Sequence, residues 1–561
     1  MSTARKILWN VVSQVLGKLG IALLSLVSIK ILTVYLGTKG YGDYTMIYEF
    51  LAFFGVIADL GLFTIAVREM SRDEEQTPII IGNVLSMRTF LSIIAMLMAI
   101  ISVWLIPAYK GSLVPMGVSI AAITVWLSLI NGSLTSILQV HLKMQYASWT
   151  MFVGKIVSVL YMLFVIFIAY KNPSDTSFIH LIFAGNIGNL VMTIYTWYYA
   201  SKLAKIRHRF DWYVWKNVLI ASVPYGIALV LNTVYFRINS IFISFIRGNE
   251  EVGLYGVAMR ILEAISIVPL YFMNAVLPVL TRAIKEQSDK YQKIIQYSFE
   301  FLTMASWPLV AGGYVLSYPL IFIISKPEFM SRVSDGFYGS DSALRILLFA
   351  SLFSFINILF QFIIIAVGKQ TKLFWVSLIA VIANVLINLY SVPRFGFRGA
   401  ALTSVICEFV MTCGLFYLSH KYLTYHFKYW ATIKAALSAI VMGIIIKLLF
   451  APLYSVIQNW SVFVLIVLGG AIYVGLLIAT KTLTKDMLNM IRRPDKQPEM
   501  VERSELSEGL IIYHDENNYS MPTYFIKYIN SFGSTTCCSA NILRSVRISE
   551  GIIFYYNNGF V

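Results

Sequence analysis

Charged residues interrupt several long apolar runs of this chain. Lys18, Arg88, Arg237 and Arg260 each lie inside such a run, where a cation costs several kcal/mol unless it is paired or hydrated. These four positions therefore predict a polar cavity between helices. Arginine offers a planar fork of donors and lysine a compact charge, so the cavity would suit the oxygens of a phosphate or diphosphate group.

Carboxylates occupy the same kind of apolar run, at Asp59, Glu263, Glu300 and Glu408. A carboxylate in a membrane cavity could bind a proton or a sodium ion and link its occupancy to motion of the protein. The same residues could equally form structural ion pairs. Arg260 and Glu263, for example, lie three residues apart on one helix face and could neutralise each other.

Five further ionisable residues fall inside apolar runs. For four of them, a long side chain that reaches the membrane surface is as good an explanation as a place in the cavity. These four are Lys30, Glu49, Arg345 and Lys447, and the fifth residue is Lys155.

The apolar runs themselves predict an all-α membrane protein. Of the 561 residues, 58% are apolar and only 13% are charged, against roughly 25% charged residues in soluble domains. The apolar residues fall in separate runs of about 20, each long enough to cross a bilayer as a helix. About fourteen transmembrane helices are expected, at residues 9–35, 44–67, 79–106, 112–138, 149–170, 177–200, 218–246, 253–281, 295–325, 343–367, 372–391, 399–419, 432–451 and 461–480.

Basic residues between the runs predict the orientation of the chain. They concentrate in loops on the side of the N-terminus, including a basic connector at residues 201–217, and cytoplasmic loops are the ones enriched in lysine and arginine. Both termini are therefore expected in the cytoplasm. Residues 481–561 are polar, lack a run long enough to span a membrane, and are interpreted as a cytoplasmic tail.

An internal repeat relates two of the loops. Gly37, Gly42 and Tyr44 match Gly248, Gly253 and Tyr255 at a constant offset, 248 − 37 = 211. Two copies of one helical unit, related by an axis along the membrane normal, would explain the match. A coincidence of glycine and tyrosine at two loop ends is the alternative.

Several functional classes lack their sequence signatures. The chain has no phosphate-binding G-x-x-x-x-G-K-[ST] motif, no H-E-x-x-H metal pair and no G-x-S-x-G nucleophile turn. The net charge of +16 is explained by the membrane loops, so nucleic acid is not an expected partner. No cofactor is predicted, and a coupling Na⁺ or H⁺ is left open.

Taken together, five segments resemble the polysaccharide-type flippases of the multidrug/oligosaccharidyl-lipid/polysaccharide (MOP) exporter superfamily. The resemblance covers roughly residues 5–480, and it depends on the order and spacing of segments that are individually weak. The segments are LGTKGYGDY from Leu36, DLGLFTIAVRE from Asp59, EEVGLYGVAMRI from Glu250, LPVLTR from Leu277 and ANVLINLYSVPRFGFRGAALTS from Ala383.

This resemblance implies a fold and an activity. The fold is a MATE-like pair of pseudo-symmetric six-helix lobes with two extra C-terminal helices. The activity is alternating-access transport of a lipid-diphosphate-linked oligosaccharide across the cytoplasmic membrane, with glycosyltransferases and a glycan polymerase as partners. The implied parts are an N-lobe at 1–200, the connector at 201–217, a C-lobe at 218–420, helices 13 and 14 at 421–480, and the tail at 481–561.

The resemblance also assigns roles to residues. Basic residues that line the two lobes would bind the diphosphate, which selects Lys18, Arg88, Arg237 and Arg260. Late in the seventh helix, where such flippases often have an acidic residue, this chain has Asn239. Ion coupling through that position is therefore not implied.

Three other functions remain alternatives. An ion-coupled drug or cation exporter of the same superfamily would need a more acidic cavity, whereas basic residues outnumber acidic ones in these runs. A membrane glycosyltransferase or polymerase would need a larger outer domain than the loop at 326–342 provides. A scaffold that only recruits partners is compatible with the sequence.

Overall fold

Long helices form the part of the chain that the structure describes. The structure is a computed structural model that describes residues 3–72, 76–287 and 290–483, so nearly all of the predicted tail lies outside the described residues. The helices are α1 (Thr3–Asp59), α2 (Leu62–Arg72), α3 (Thr77–Leu105), α4 (Val114–Val140), α5 (Met144–Phe164), α6 (Asp175–Ser201), α7 (Trp212–Arg247), α8 (Asn249–Ile265), α9 (Ile267–Lys285), α10 (Lys290–Ile324), α11 (Ser340–Ala366), α12 (Leu373–Tyr422), α13 (Trp430–Ile457) and α14 (Ser461–Ala479).

Eleven stretches within the described residues are long and apolar enough to cross a membrane, which confirms the all-α membrane fold. Three of these stretches have 50, 52 and 53 residues. A straight helix of that length would measure about 75 Å, more than twice the ~30 Å hydrocarbon core. Each of the three is interrupted by a residue with positive φ, at Gly37, Gly396 or Gln458, and the first is interrupted again at Leu60 and Gly61, before the short α2. Division of the three stretches at Gly37, Gly396 and Gln458 would produce fourteen helices, a count that stays a prediction.

The stretch predicted as one helix at 253–281 comprises both α8 and α9. The interruption falls at Ser266, between the end of α8 at Ile265 and the start of α9 at Ile267. Pro269 lacks an N–H group, and in a continuous helix its ring would clash with the carbonyl of Ile265. The break is therefore explained by a single proline near the middle of the apolar run.

Loops at one end of the helix bundle connect the two halves of the sequence. Thr38 Oγ1 of the first half donates to Glu250 Oε1 of the second at 2.9 Å. Within the second half, the Phe397 N–H donates to the neighbouring Glu251 Oε2 at 2.8 Å at the same end. We call this end the closed end. The opposite end, which carries the connector between α6 and α7, is called the connector end.

The apolar cores differ between these two ends. At the closed end, one cluster of buried residues combines side chains from both halves, such as Tyr41 with Tyr255 and Val118 with Leu344. At the connector end, the described residues form two clusters instead. One lies within residues 62–218, which are the first half and the start of α7, and the other lies within residues 273–425. Packing thus joins the halves in one shared core at the closed end. At the connector end each half has its own core, and the start of α7 packs against the first half, where Gly226 lies against the backbone of Leu60.

The predicted repeat corresponds to a repeated local structure. Gly37 has a φ of +69° and Gly248 a φ of +94°, values in the region that favours glycine. Tyr44 and Tyr255, which occupy equivalent positions, are both buried in the core of the closed end. Coincidence does not explain a match that extends to backbone conformation and burial.

The second glycines of the repeat contact each other directly. A Cβ atom on Gly42 would lie 1.7 Å from Asn249 O, and one on Gly253 would lie 2.4 Å from Thr38 O and 3.1 Å from Gly42 N. Any side chain at either position would overlap backbone atoms, so only glycine fits. The two copies of the repeat therefore cross backbone to backbone, at what we call the glycine crossing.

Candidate functional site

Two arginines and two glutamates form an ionic network where the two halves meet. Arg237 Nη1 donates to Glu49 Oε1 at 2.7 Å and lies 3.4 Å from Glu263 Oε1. Arg260 Nη1 donates to Glu263 Oε2 at 2.8 Å, and Arg260 Nη2 lies 3.6 Å from Glu49 Oε1. The sequence left open whether Arg260 and Glu263 pair, and the structure contains this ion pair. Each arginine contacts both glutamates, so the four charges form one unit.

The network lies close to the glycine crossing. Glu49 follows Gly42 on α1, and Arg260 follows Gly253 on α8, each by two helical turns, or about 10 Å. The offset of 211 residues that relates the two glycines also relates Glu49 to Arg260. This ion pair therefore joins equivalent positions of the two repeats with charges of opposite sign.

Burial varies strongly within the network. The Glu49 side chain is 7% exposed, those of Arg260 and Arg237 are 14% and 18% exposed, and that of Glu263 is 39% exposed. One edge of the network is therefore in contact with packed helices, and the edge at Glu263 borders a space that the described side chains do not fill. An incoming group could reach the arginines from this edge.

Lys155 of α5 adds a third cation to this site. It lies close enough to Arg260 for the two positive charges to interact. Within the described part of the chain, its amino group forms no hydrogen bond or ion pair. With Glu49 and Glu263 as the two anions, the site carries one net positive charge. Such a site attracts an anion.

Arg88 belongs to a different ionic contact. Its Nη2 donates to Asp59 Oδ1, and its Nη1 lies 3.4 Å from Ser133 Oγ. Arg88 is 4% exposed, and α1, α3 and α4, which supply these three residues, all belong to the first half of the chain. The structure therefore places Arg88 and Asp59 in a separate buried pair rather than with Arg237 and Arg260.

Glu408 is a buried carboxylate held by neutral donors. Tyr235 Oη donates to one oxygen at 3.0 Å, and Asn357 Nδ2 donates to the other at 2.7 Å. The described residues place no cation within ion-pair distance of it. Glu300 is half-buried on α10 and accepts a hydrogen bond from Gln296 at 2.6 Å. Both carboxylates lie in the second half, apart from the network.

Asn239 lies in a cluster of neutral side chains. Its Nδ2 donates to Ser404 Oγ at 2.8 Å, and its Oδ1 accepts from Asn388 Nδ2 at 2.7 Å. Asn388 also donates to Asn384 at 2.6 Å. Among the described residues, no group of three or more His, Cys, Asp or Glu side chains could hold a metal ion.

The predicted site residues thus separate in space. The structure brings together Arg237, Arg260 and Glu263, forms a second site from Arg88 and Asp59, leaves Glu300 and Glu408 apart, and does not describe the side chain of Lys18. Glu49 and Lys155 join the first group, although the sequence pattern does not select them. Whether such a residue faces the network depends on the rotation of its helix about its axis and on which helices pack together.

Eleven membrane-length stretches, arranged as two repeats that cross at a glycine pair and share a charge network, identify a multi-pass membrane protein. Two family models identify the group. One, described as "Polysaccharide biosynthesis protein", matches residues 5–284, and the MatE model matches residues 224–390. The chain belongs to the MOP exporter superfamily, as the sequence motifs predict.

Solved structures share the fold. The chain is similar to "Lipid II flippase MurJ, inward closed conformation", with a TM-score of 0.64, 16% identity, and coverage of 83% of this chain and 98% of that one. It is also similar to an inward-facing multidrug resistance MATE family transporter of the MOP superfamily. That match has a TM-score of 0.57 and 17% identity, and covers 72% of this chain and 94% of the other. These matches are to transporters, not to enzymes.

Curated relatives are more distant in sequence. The chain is 26% identical over 215 residues to "Probable multidrug resistance protein YpnP" of Bacillus subtilis (strain 168), covering 37% of this chain and 46% of the relative. It is 23% identical over 224 residues to "Capsular polysaccharide biosynthesis protein CapF" of Staphylococcus aureus, covering 39% and 54%. The chain thus spans about half the length of these relatives.

Proposed function

We propose that this chain is a flippase that carries a lipid-diphosphate-linked oligosaccharide across a membrane for polysaccharide biosynthesis. The observation that carries the proposal is the pair of arginines, Arg237 and Arg260, beside the exposed edge of the network, with the charge of Lys155 in electrostatic range of Arg260. Such a cluster suits an anionic head group. The match of residues 5–284 to a polysaccharide biosynthesis family supports this choice of substrate class.

The network would exchange partners during transport. Without substrate, Glu49 and Glu263 compensate the two arginines, because an unpaired charge in a membrane interior is costly. A diphosphate offers oxygens that match the guanidinium fork as a carboxylate does, so it would replace Glu263, the most exposed member. Lys155 would add a point charge to the same group. The sugars would cross in the hydrated space while the lipid chain stays in the bilayer.

The difference in packing between the two ends indicates the end from which substrate would enter. The shared core and the glycine crossing hold the halves together at the closed end, while the connector end has two separate cores. Substrate would therefore enter from the connector end, and alternating access would require the opposite arrangement for release.

The distribution of basic residues in the loops supports an orientation of the protein in the membrane. Basic residues concentrate at the connector end, for example at Lys202, Lys205 and Lys216, which favours the cytoplasm for this end and for both termini. The membrane would then be the cytoplasmic membrane. Glycosyltransferases that build the glycan and a polymerase that uses it are the partners that this role requires.

An ion-coupled drug or cation exporter is the second candidate. Glu408 favours it, because a buried carboxylate held only by Tyr235 and Asn357 could bind a proton or sodium ion. The similarity to a probable multidrug resistance protein points the same way. The network, with its net positive charge, points against an organic cation as cargo.

Reconstitution in liposomes tests the two candidates directly. The flippase proposal expects a fluorescent polyprenyl-diphosphate-linked oligosaccharide to move between leaflets, measured as the fraction protected from an impermeant quencher. Vesicles with Arg260→Gln protein serve as the matched control and should show little movement. Uptake of an organic cation driven by a proton or sodium gradient, with no movement of the labelled lipid, would overturn the proposal in favour of an exporter.

A further inference from the structure

A pocket at the closed end lies apart from the ionic network. Its volume is about 560 Å³, within the range of roughly 300–1,000 Å³ usual for small-molecule sites. The end of α10, the following loop, the start of α11 and the part of α12 after Gly396 form its walls. None of its lining residues belongs to the network.

Aromatic side chains make up much of these walls. Tyr314, Tyr318, Tyr338 and Phe349 line the pocket, and each remains more than 40% exposed. The three phenol hydroxyls form no hydrogen bond with any described residue. A tyrosine of this kind offers a flat face to the C–H groups of a sugar ring and a hydroxyl for hydrogen bonding.

Two arginines converge on the same space. Arg345 Nε donates to Ser317 Oγ at 2.7 Å, and Arg345 Nη2 lies 3.8 Å from the buried Asp341. Arg398 lies over the Tyr338 ring, 3.5 Å from its centroid. The described residues offer Arg398 no hydrogen bond or ion pair, although Glu251, which does not line the pocket, is near enough for its charge to interact with Arg398. The lining residues Asp341, Arg345 and Arg398 carry one net positive charge, and the donors of Arg398 remain available.

We propose that this pocket is a second binding site, for an anionic saccharide. The tyrosine faces hold the sugar ring, and Arg398 binds a carboxylate or phosphate group of the same sugar. Stacking on Tyr338 orients the guanidinium fork before the ligand arrives. A phospholipid head group offers the same charge without the ring. The site uses none of the residues of the proposed transport mechanism, so either proposal can fail alone.

Binding to the purified full chain in a neutral detergent tests this site. The probe is a tetrasaccharide of alternating glucuronic acid and N-acetylglucosamine, and titration calorimetry measures its affinity. Arg398→Gln should weaken binding by about tenfold or more. Arg394→Gln is the matched control, because Arg394 also stacks on a tyrosine, Tyr390, at 3.7 Å but does not line the pocket; its affinity should be unchanged.

A second variant tests the space of the pocket independently of its charge. Val333 is 74% exposed at the pocket wall, so Val333→Trp should fill the space and abolish binding while Arg398 stays in place. Equal binding by wild type and Arg398→Gln overturns the proposal, and so does equal affinity for a neutral maltotetraose. Displacement of the probe by phosphatidylglycerol, but not by phosphatidylcholine, would identify a lipid head-group site instead.

Discussion

The two ionic sites of this protein use the same residue types in different surroundings. Arg88 and Asp59 pair inside the first half, where Arg88 is 4% exposed. Arg237 and Arg260 share their glutamates across both halves, and the edge of this network is open. The first site joins helices of one bundle. The second joins helices that must move relative to each other if the two ends open alternately.

The two sites differ in the number of carboxylates that each arginine contacts. Arg88 has one carboxylate, so removal of Asp59 leaves a buried charge without compensation. Arg260 contacts two carboxylates, so one contact can be exchanged for an incoming anion while the other persists. An arginine with a single carboxylate partner, such as Arg88, stabilises the fold. An arginine that contacts two carboxylates, such as Arg260, can exchange one of them for a substrate anion.

The largest effect is expected from breaking the ion pair between Arg88 and Asp59. Asp59→Asn should lower the free energy of unfolding by about 3–5 kcal/mol, because Arg88 would remain buried and charged. Thermal unfolding in detergent measures the loss. The double variant Arg88→Met with Asp59→Leu should recover most of it. A single variant as stable as the wild type would contradict the structural role of this pair.

Arg260→Gln should separate transport from stability. Glu49 keeps its contact with Arg237, so the protein should still fold and reach the membrane. Leaflet exchange of the labelled lipid should fall by about tenfold or more, since a charge-assisted contact to the diphosphate is lost. Lys447→Gln is the control, because this lysine is exposed on α13. Normal exchange by Arg260→Gln would remove the network from the transport mechanism.

Lys155→Ala should produce a smaller loss of the same kind. Lysine contributes one point charge rather than a fork of donors, so a reduction of about three- to tenfold in apparent affinity is expected. The concentration dependence of leaflet exchange measures it. Lys155→Arg should restore most of the affinity. A loss that Arg does not restore would indicate a packing role instead.

Glu263→Gln should have the smallest effect and the opposite sign. Because Glu263 is 39% exposed, its contribution to the ion pairs is about 1 kcal/mol or less. Removing this competing carboxylate should tighten binding of the diphosphate by about two- to fivefold, measured by equilibrium binding of the labelled lipid. Weaker binding would show that Glu263 supports the substrate rather than competing with it.

Apolar runs predict most of the helices because the bilayer imposes their length. The predicted 112–138 and 177–200 correspond to α4 at Val114–Val140 and α6 at Asp175–Ser201. Glu49 shows where this reasoning fails. A predicted helix start at residue 44 places Glu49 near a helix end, whereas the helix already resumes after Gly37. Glu49 is thus about three turns inside the helix rather than near its end.

The composition of the site is less predictable than the fold. Arg88 and Arg260 look alike in the sequence, since both are arginines within apolar runs. Their different partners depend on which helices pack together. The sequence around each arginine does not show which helices these are. Lys155 joins the site through the rotation of α5, which a uniformly apolar run does not reveal.

The glycine crossing has a mechanical consequence. Because no side chain separates the two backbones at Gly42 and Gly253, this contact can act as a fulcrum. Glu49 lies about 10 Å from it along α1, and Asp59 about 25 Å. A rotation about the fulcrum therefore displaces the far end of α1 roughly 2.5 times as far as the network. In the proposed flippase mechanism, such a rotation would therefore open the connector end more than it separates the arginines from the glutamates.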